Sequence, residues 1–146
     1  MTCEARRAYV AAELQSASPQ RLRWMLIEAT ISDVRKARET ALAGDWAVAG
    51  ESFVRARRAV VELLTSVDVN STGDEGELAR RVRALYAFLF RQLTEAQLYR
   101  DPRRLDDVLK ILSLERETWR QVCDQTRASA GGETHSAQPP SLSLHG

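Results

Sequence analysis

Histidine and cysteine are scarce in this chain, and where they fall limits the chemistry open to it. There are two histidines, His135 and His145, and two cysteines, Cys3 and Cys123. Both histidines lie after Ala128, in SAGGETHSAQPPSLSLHG, a small, polar, proline-bearing stretch (129–146) read as a disordered tail. A general base or a histidine metal ligand needs a folded setting, which neither histidine has. The two cysteines are far apart and make no CxxC or zinc spacing. Cys123 shares a helical stripe with Trp119 and reads as a small buried apolar residue. As a nucleophile it would need a lowered pKa and a histidine partner. No Gly-rich phosphate loop occurs, and no Glu-x-x-His pair of the kind that builds a di-iron bundle. The carboxylates lie among arginines at helical spacing, the pattern of solvated salt bridges. The chain is expected to be no enzyme and to carry no cofactor and no metal.

Arginine is the other chemically active type. Three clusters stand out: Arg55, Arg57 and Arg58; Arg80, Arg81 and Arg83; Arg100, Arg103 and Arg104. Each is interleaved with acids such as Glu51, Glu77, Asp101 and Asp106. The whole chain has 21 basic and 20 acidic residues, a net charge of +1. Binding to a phosphate backbone rests on an uncompensated basic footprint, so no nucleic-acid partner is expected. No window approaches a membrane-spanning apolar run, and MTCEARRAYVAAEL lacks the apolar core of a signal peptide. No membrane insertion is expected, and the cytoplasm is the expected compartment, with both thiols reduced.

The elements that carry these residues are set by punctuation. Residues 1–16 form a weakly amphipathic leader with Tyr9, Val10 and Leu14 as its apolar points. Ser18-Pro19 is an N-cap followed by a proline suited to the first helical turn. A first helix is predicted over 19–43, closed by Gly44, with Asp45 capping the next. The second is predicted over 46–67, with Trp46, Ala49, Phe53, Ala56, Val60, Leu63 and Val67 at bundle spacing. DVNSTGDEG breaks the pattern before a third helix over 75–100, where Leu78, Val82, Leu85, Leu89, Leu93 and Ala96 form the expected core stripe. Asp101-Pro102 opens a fourth over 102–128, its stripe running from Leu105 through Val108, Leu109 and Leu112 to Trp119, Val122 and Cys123. The expected fold is all-α, an antiparallel up-down-up-down four-helix bundle over 17–128. A pair of helical hairpins that dimerises into a bundle is the second reading.

One core does not use all the apolar residues. Val48, Val54 and Val61 on the second helix, Phe88, Phe90 and Leu98 on the third, and Ile111 and Leu114 on the fourth lie off the stripes. Single surface apolars mean little, but several on three helices can join into a patch that receives a partner. They can equally be the edges of wide stripes, or contacts for the leader. A groove of this kind would suit an amphipathic helix or an extended peptide.

Three blocks, in order, resemble FliS, a family of flagellar export chaperones that bind flagellin. The first is a leader tyrosine followed by SASPQRLRWML, Ser16 to Leu26, similar to the family's T-A-(S/T)-P-x-x-L-x-x-M-L. The second is A-x-x-x-V-x-E-L, Ala56 to Leu63. The third is L-Y-x-F-x-x-R-Q-L-x-E-A, Leu85 to Ala96, which ends in Arg100-Asp101-Pro102 and is followed by Trp119. The chain departs from the pattern at Ile27, Glu28 and Ala29, where Tyr-(Asp/Asn)-Gly is usual, and at Asp33, where an aromatic is usual. The resemblance covers about Tyr9 to Gln125. It implies a cytoplasmic chaperone that holds the disordered C-terminal segment of flagellin, prevents premature polymerisation and supports delivery to the flagellar export gate, a further partner. It also implies that the leader covers part of the binding surface. On that basis Val54, Val61, Phe88, Phe90, Ile111 and Leu114 are the expected flagellin-binding band, with Tyr9 and Val10 as the leader's plug. Trp24 faces either the leader or the partner, and Tyr86 either the partner or the core edge. The alternative function is a structural or regulatory bundle that uses the same band to form a homodimer or to bind another flagellar factor.

Overall fold

The computed structural model describes residues 3–5 and 18–143, with side chains described through Ser129. Among these residues all regular structure is helical, and four long helices follow one another: α1 (Pro19–Leu42), α2 (Trp46–Thr65), α3 (Gly73–Leu98) and α4 (Arg104–Ser143). The protein is all-α among its described residues. The backbone of α4 is helical beyond the end read at Ala128, through Ser143.

The ends are made by the residues that the punctuation singled out. The Ser18 hydroxyl accepts from the Arg21 backbone N–H at 3.2 Å, and the Asp45 carboxylate accepts from Val48 N–H at 3.2 Å. Each supplies a partner for an N–H that the helix leaves unmatched. Gly44 closes α1 at φ 84, the left-handed conformation open to glycine without penalty. Arg100, after α3, takes φ 50 without that freedom, and its guanidinium lies 5.6 Å from the centre of the Trp46 ring.

The described residues fall into two compact units, Met25–Arg116 and a smaller one drawn from Met1–Trp24 and Glu117–Gly146. In the larger unit each helix buries one stripe. Ile27, Ile31, Val34, Ala37 and Ala41 are buried on α1, and Ala49, Phe53, Ala56, Val60 and Leu63 on α2. Tyr86, Leu89, Leu93 and Ala96 are buried on α3, and Leu105, Val108 and Leu112 on α4. Their spacing of three and four keeps each set on one face, and full burial of a large side chain contributes about 1.5–3 kcal/mol.

Two expected stripes are corrected. On α3 the core face is turned toward Tyr86: Leu85 is only half-buried and Leu78 is 62% exposed. Burial of Tyr86 shifts the face by one position, so the apolar residues N-terminal to it drift off the core. On α4 Leu109, Trp119, Val122 and Cys123 are half-buried rather than core.

Polar side chains tie neighbouring helices of the larger unit. Arg55 of α2 meets Asp33 of α1 at 3.3 Å, and Arg57 of α2 donates to Gln97 of α3 at 2.5 Å. Tyr86 of α3 donates its hydroxyl to Glu115 of α4 at 2.7 Å, and Arg104 of α4 meets Glu95 of α3 at 2.7 Å. Arg38 and Glu28 of α1 meet Asp106 and Arg116 of α4 at 2.7 and 3.6 Å. In the smaller unit Arg23 lies 4.7 Å from the centre of the Trp119 ring, and Arg120 bridges Glu117 and Asp124 on α4.

Candidate partner-binding groove between α2 and α3

Phe88 and Phe90 decide how the off-core residues are grouped. Two residues apart on a helix, they point roughly 160° from each other. Phe90 lies on the side of α3 that faces α2. It lines a shallow groove of about 400 Å³ together with Val54, Arg57, Arg58, Val61 and Glu62. Val54 and Val61 are 38% and 41% exposed, so this apolar surface is open. Three residues of the expected band therefore meet in one place, brought there by the packing of α2 on α3.

A second groove, about 340 Å³, continues along the same side of α3, lined by Val69, Arg80, Arg83, Ala84 and Ala87. Ala87 stands about one turn before Phe90 on α3. The sequence reading missed these residues because alanine and arginine are common on solvated faces. Their signal was the three-and-four spacing from Arg80 through Arg83 or Ala84 and Ala87 to Phe90.

Phe88, Ile111 and Leu114 belong elsewhere. Phe88 and Ile111 are half-buried, and Leu114 is 67% exposed. None of the three lines the α2–α3 groove, so only part of the expected band meets there.

The other expected site residues separate further. Tyr86 is fully buried and its hydroxyl is engaged by Glu115, so it is a core residue and not part of a surface. Trp24, in the smaller unit, is half-buried, with the Arg21 guanidinium 5.8 Å from its ring centre and its Nε1 lacking a hydrogen-bond partner among the described residues. Tyr9 and Val10 lie outside the described residues.

The arginines divide in the same way. Arg55, Arg81, Arg103 and Arg104 pair with carboxylates of this chain, while Arg58, Arg80 and Arg83 are exposed along the α2–α3 groove. Partial burial draws the Arg57 guanidinium below its ordinary value. At the departures from the family pattern, Ile27 is a core residue and Asp33 holds Arg55, so these changes serve the α1 interior and the α1–α2 contact.

Comparison with known proteins rests on this frame of helices and blocks. The family described as Flagellar protein FliS matches residues 2–126. The chain belongs to the FliS family. The flagellar secretion chaperone FliS of Vibrio cholerae is 27% identical over 117 residues, covering 80% of this chain and 84% of that protein. The flagellar secretion chaperone FliS of Salmonella typhimurium is 30% identical over 113 residues, covering 77% and 82%. Membership places the chain in a chaperone family of flagellum biogenesis and not in an enzyme family. No helix among the described residues is long and apolar enough to cross a membrane.

Proposed function

We propose that this chain is a cytoplasmic, flagellin-specific export chaperone that holds the disordered C-terminal segment of flagellin, with the groove between α2 and α3 as part of its binding surface. In doing so it prevents premature polymerisation and supports delivery to the flagellar export gate. The observation that carries this reading is the meeting of Val54, Val61 and Phe90 in one open groove between two packed helices. A segment that folds on binding must offset its ordering cost by burying apolar surface, and an apolar groove flanked by polar groups provides that without nucleotide or metal. Membership in a family of flagellar secretion chaperones supports the partner class.

The scaffold is an antiparallel four-helix bundle over the larger unit. Supporting this, Glu28 and Arg38 of α1 meet Arg116 and Asp106 of α4 in reverse order, and Tyr86 and Glu95 of α3 meet Glu115 and Arg104 in reverse order. The short link from Leu42 to Trp46 turns α2 back along α1. Tyr86 stands outside the binding surface, and the leader, with Tyr9 and Val10, acts as its cover.

The test is co-purification. The chain should retain full-length flagellin and lose it when the flagellin C-terminal segment is deleted; equal retention of both sinks the reading. Phe90→Asp should reduce retention about tenfold or more, since it puts a charge into the apolar contact. If light scattering shows instead a homodimer that Phe90→Asp dissociates, with flagellin ignored, the self-association reading holds.

A further inference from the structure

The hollows along the α2–α3 side carry basic charge as well as apolar surface. Its two hollows are lined by Arg57, Arg58, Arg80 and Arg83, and Glu62 is the acid among their described lining residues. Elsewhere in the larger unit several arginines meet carboxylates of the same chain: Arg38 with Asp106, Arg55 with Asp33, Arg81 with Glu77, Arg104 with Glu95 and Arg116 with Glu28. The arginines lining the two hollows are not among them. Arg58, Arg80 and Arg83 meet no carboxylate among the described residues, and all three are exposed.

Arg57 sharpens the contrast. Its guanidinium is part-buried and donates to a neutral acceptor, the Gln97 carbonyl oxygen, at 2.5 Å. Desolvation already weighs on its charged form. A carboxylate arriving there would gain charge-assisted hydrogen bonds from a group with no anionic partner of its own. The apolar residues between the arginines (Val54, Val61, Ala84, Ala87 and Phe90) are spaced on α2 and α3 to meet a helix laid lengthwise. From Arg80 to Phe90 the residues lining the two hollows extend along α3 for about 15 Å, the length of about ten helical residues.

We propose that this groove seats an amphipathic helix of the flagellin segment whose apolar face is bordered by carboxylates, with Arg57, Arg58, Arg80 and Arg83 as their partners. This rests on the flagellin reading and names the chemistry that the client must bring. The rim charges steer the encounter and reject basic-flanked helices, while the valines and Phe90 supply the holding surface.

The experiment is fluorescence anisotropy of a dye-labelled flagellin C-terminal segment titrated with the full chain at low and high salt. Wild type is compared with the double variants Arg58→Glu/Arg83→Glu and Arg58→Lys/Arg83→Lys. Because both positions are exposed, unchanged helical circular dichroism is the folding control. Wild type should bind and weaken as salt rises. The glutamate pair should bind about tenfold more weakly with a flatter salt response, and the lysine pair should stay near wild type. Wild-type binding that ignores both salt and the glutamate pair overturns the charge selection and leaves the flagellin reading standing. No wild-type binding at all overturns both.

Discussion

Tyr86 and Asp101 show how single polar groups are used inside and outside the core. Tyr86 is buried with its hydroxyl donated to Glu115 at 2.7 Å, a bond that ties α3 to α4. Tyr86→Phe keeps the ring and removes the donor from a carboxylate, so chemical denaturation should show a loss of about 1–3 kcal/mol. Flagellin binding by the folded fraction should be unchanged; a loss of binding without a loss of stability would return Tyr86 to the surface. Asp101 sits where the chain enters α4 and accepts from Arg103, through both the side chain and the backbone N–H, at 3.2 Å. The hydrogen bond from the Arg103 side chain, foremost, holds its carboxyl below the usual range. With the folded value depressed, the stabilisation is fully present above the unfolded value and is lost as pH falls through the folded one. Asp101→Asn should therefore cost stability at neutral pH. In thermal melts its gap from wild type should close below about pH 4, the ordinary aspartate range. A gap that persists in acid would show that the carboxylate's charge is not what matters.

At the scale of elements, α3 does most to organise the molecule. One face supplies Tyr86, Leu89, Leu93 and Ala96 to the core, and one flank carries Phe90 toward α2. Its start is held by a close approach of the preceding loop. Gly76 is buried, and a Cβ there would overlap the Ser71 carbonyl group. Gly76→Ala should push this loop off α3 and cost about 1–3 kcal/mol in denaturant melts, despite alanine's better helix propensity. A stabilised variant would show that the loop yields freely. The other helices were legible from punctuation: Ser18, Gly44, Asp45 and Asp101 all act at helix ends as the sequence suggests. The stripe of α3 was legible at Leu89, Leu93 and Ala96 and misread only before them, where Tyr86 and not Leu85 is buried. Tyr86 was open between partner and core edge, and its burial with the hydroxyl on Glu115 decides for the core.

At the scale of the whole molecule, the proposed function depends on leaving some apolar surface uncovered on a chain that is all-helical among its described residues. Val54, Val61 and Phe90 could be listed from the sequence as surplus to the core, and the FliS blocks said what class of protein would keep such a surplus. What the residues alone determined is local. Caps, breakers and three-and-four spacing dictate helices because hydrogen bonding and side-chain direction repeat within a few residues. What only the tertiary structure decided is grouping. Periodicity gives a residue's angle around its own axis but not what lies across from it, so Phe88 and Phe90 looked like neighbours in one band. Packing of α2 against α3 puts Phe90 beside Val54 and Val61 without Phe88, and the hollows there are lined by Arg57, Arg58, Arg80 and Arg83 from two helices.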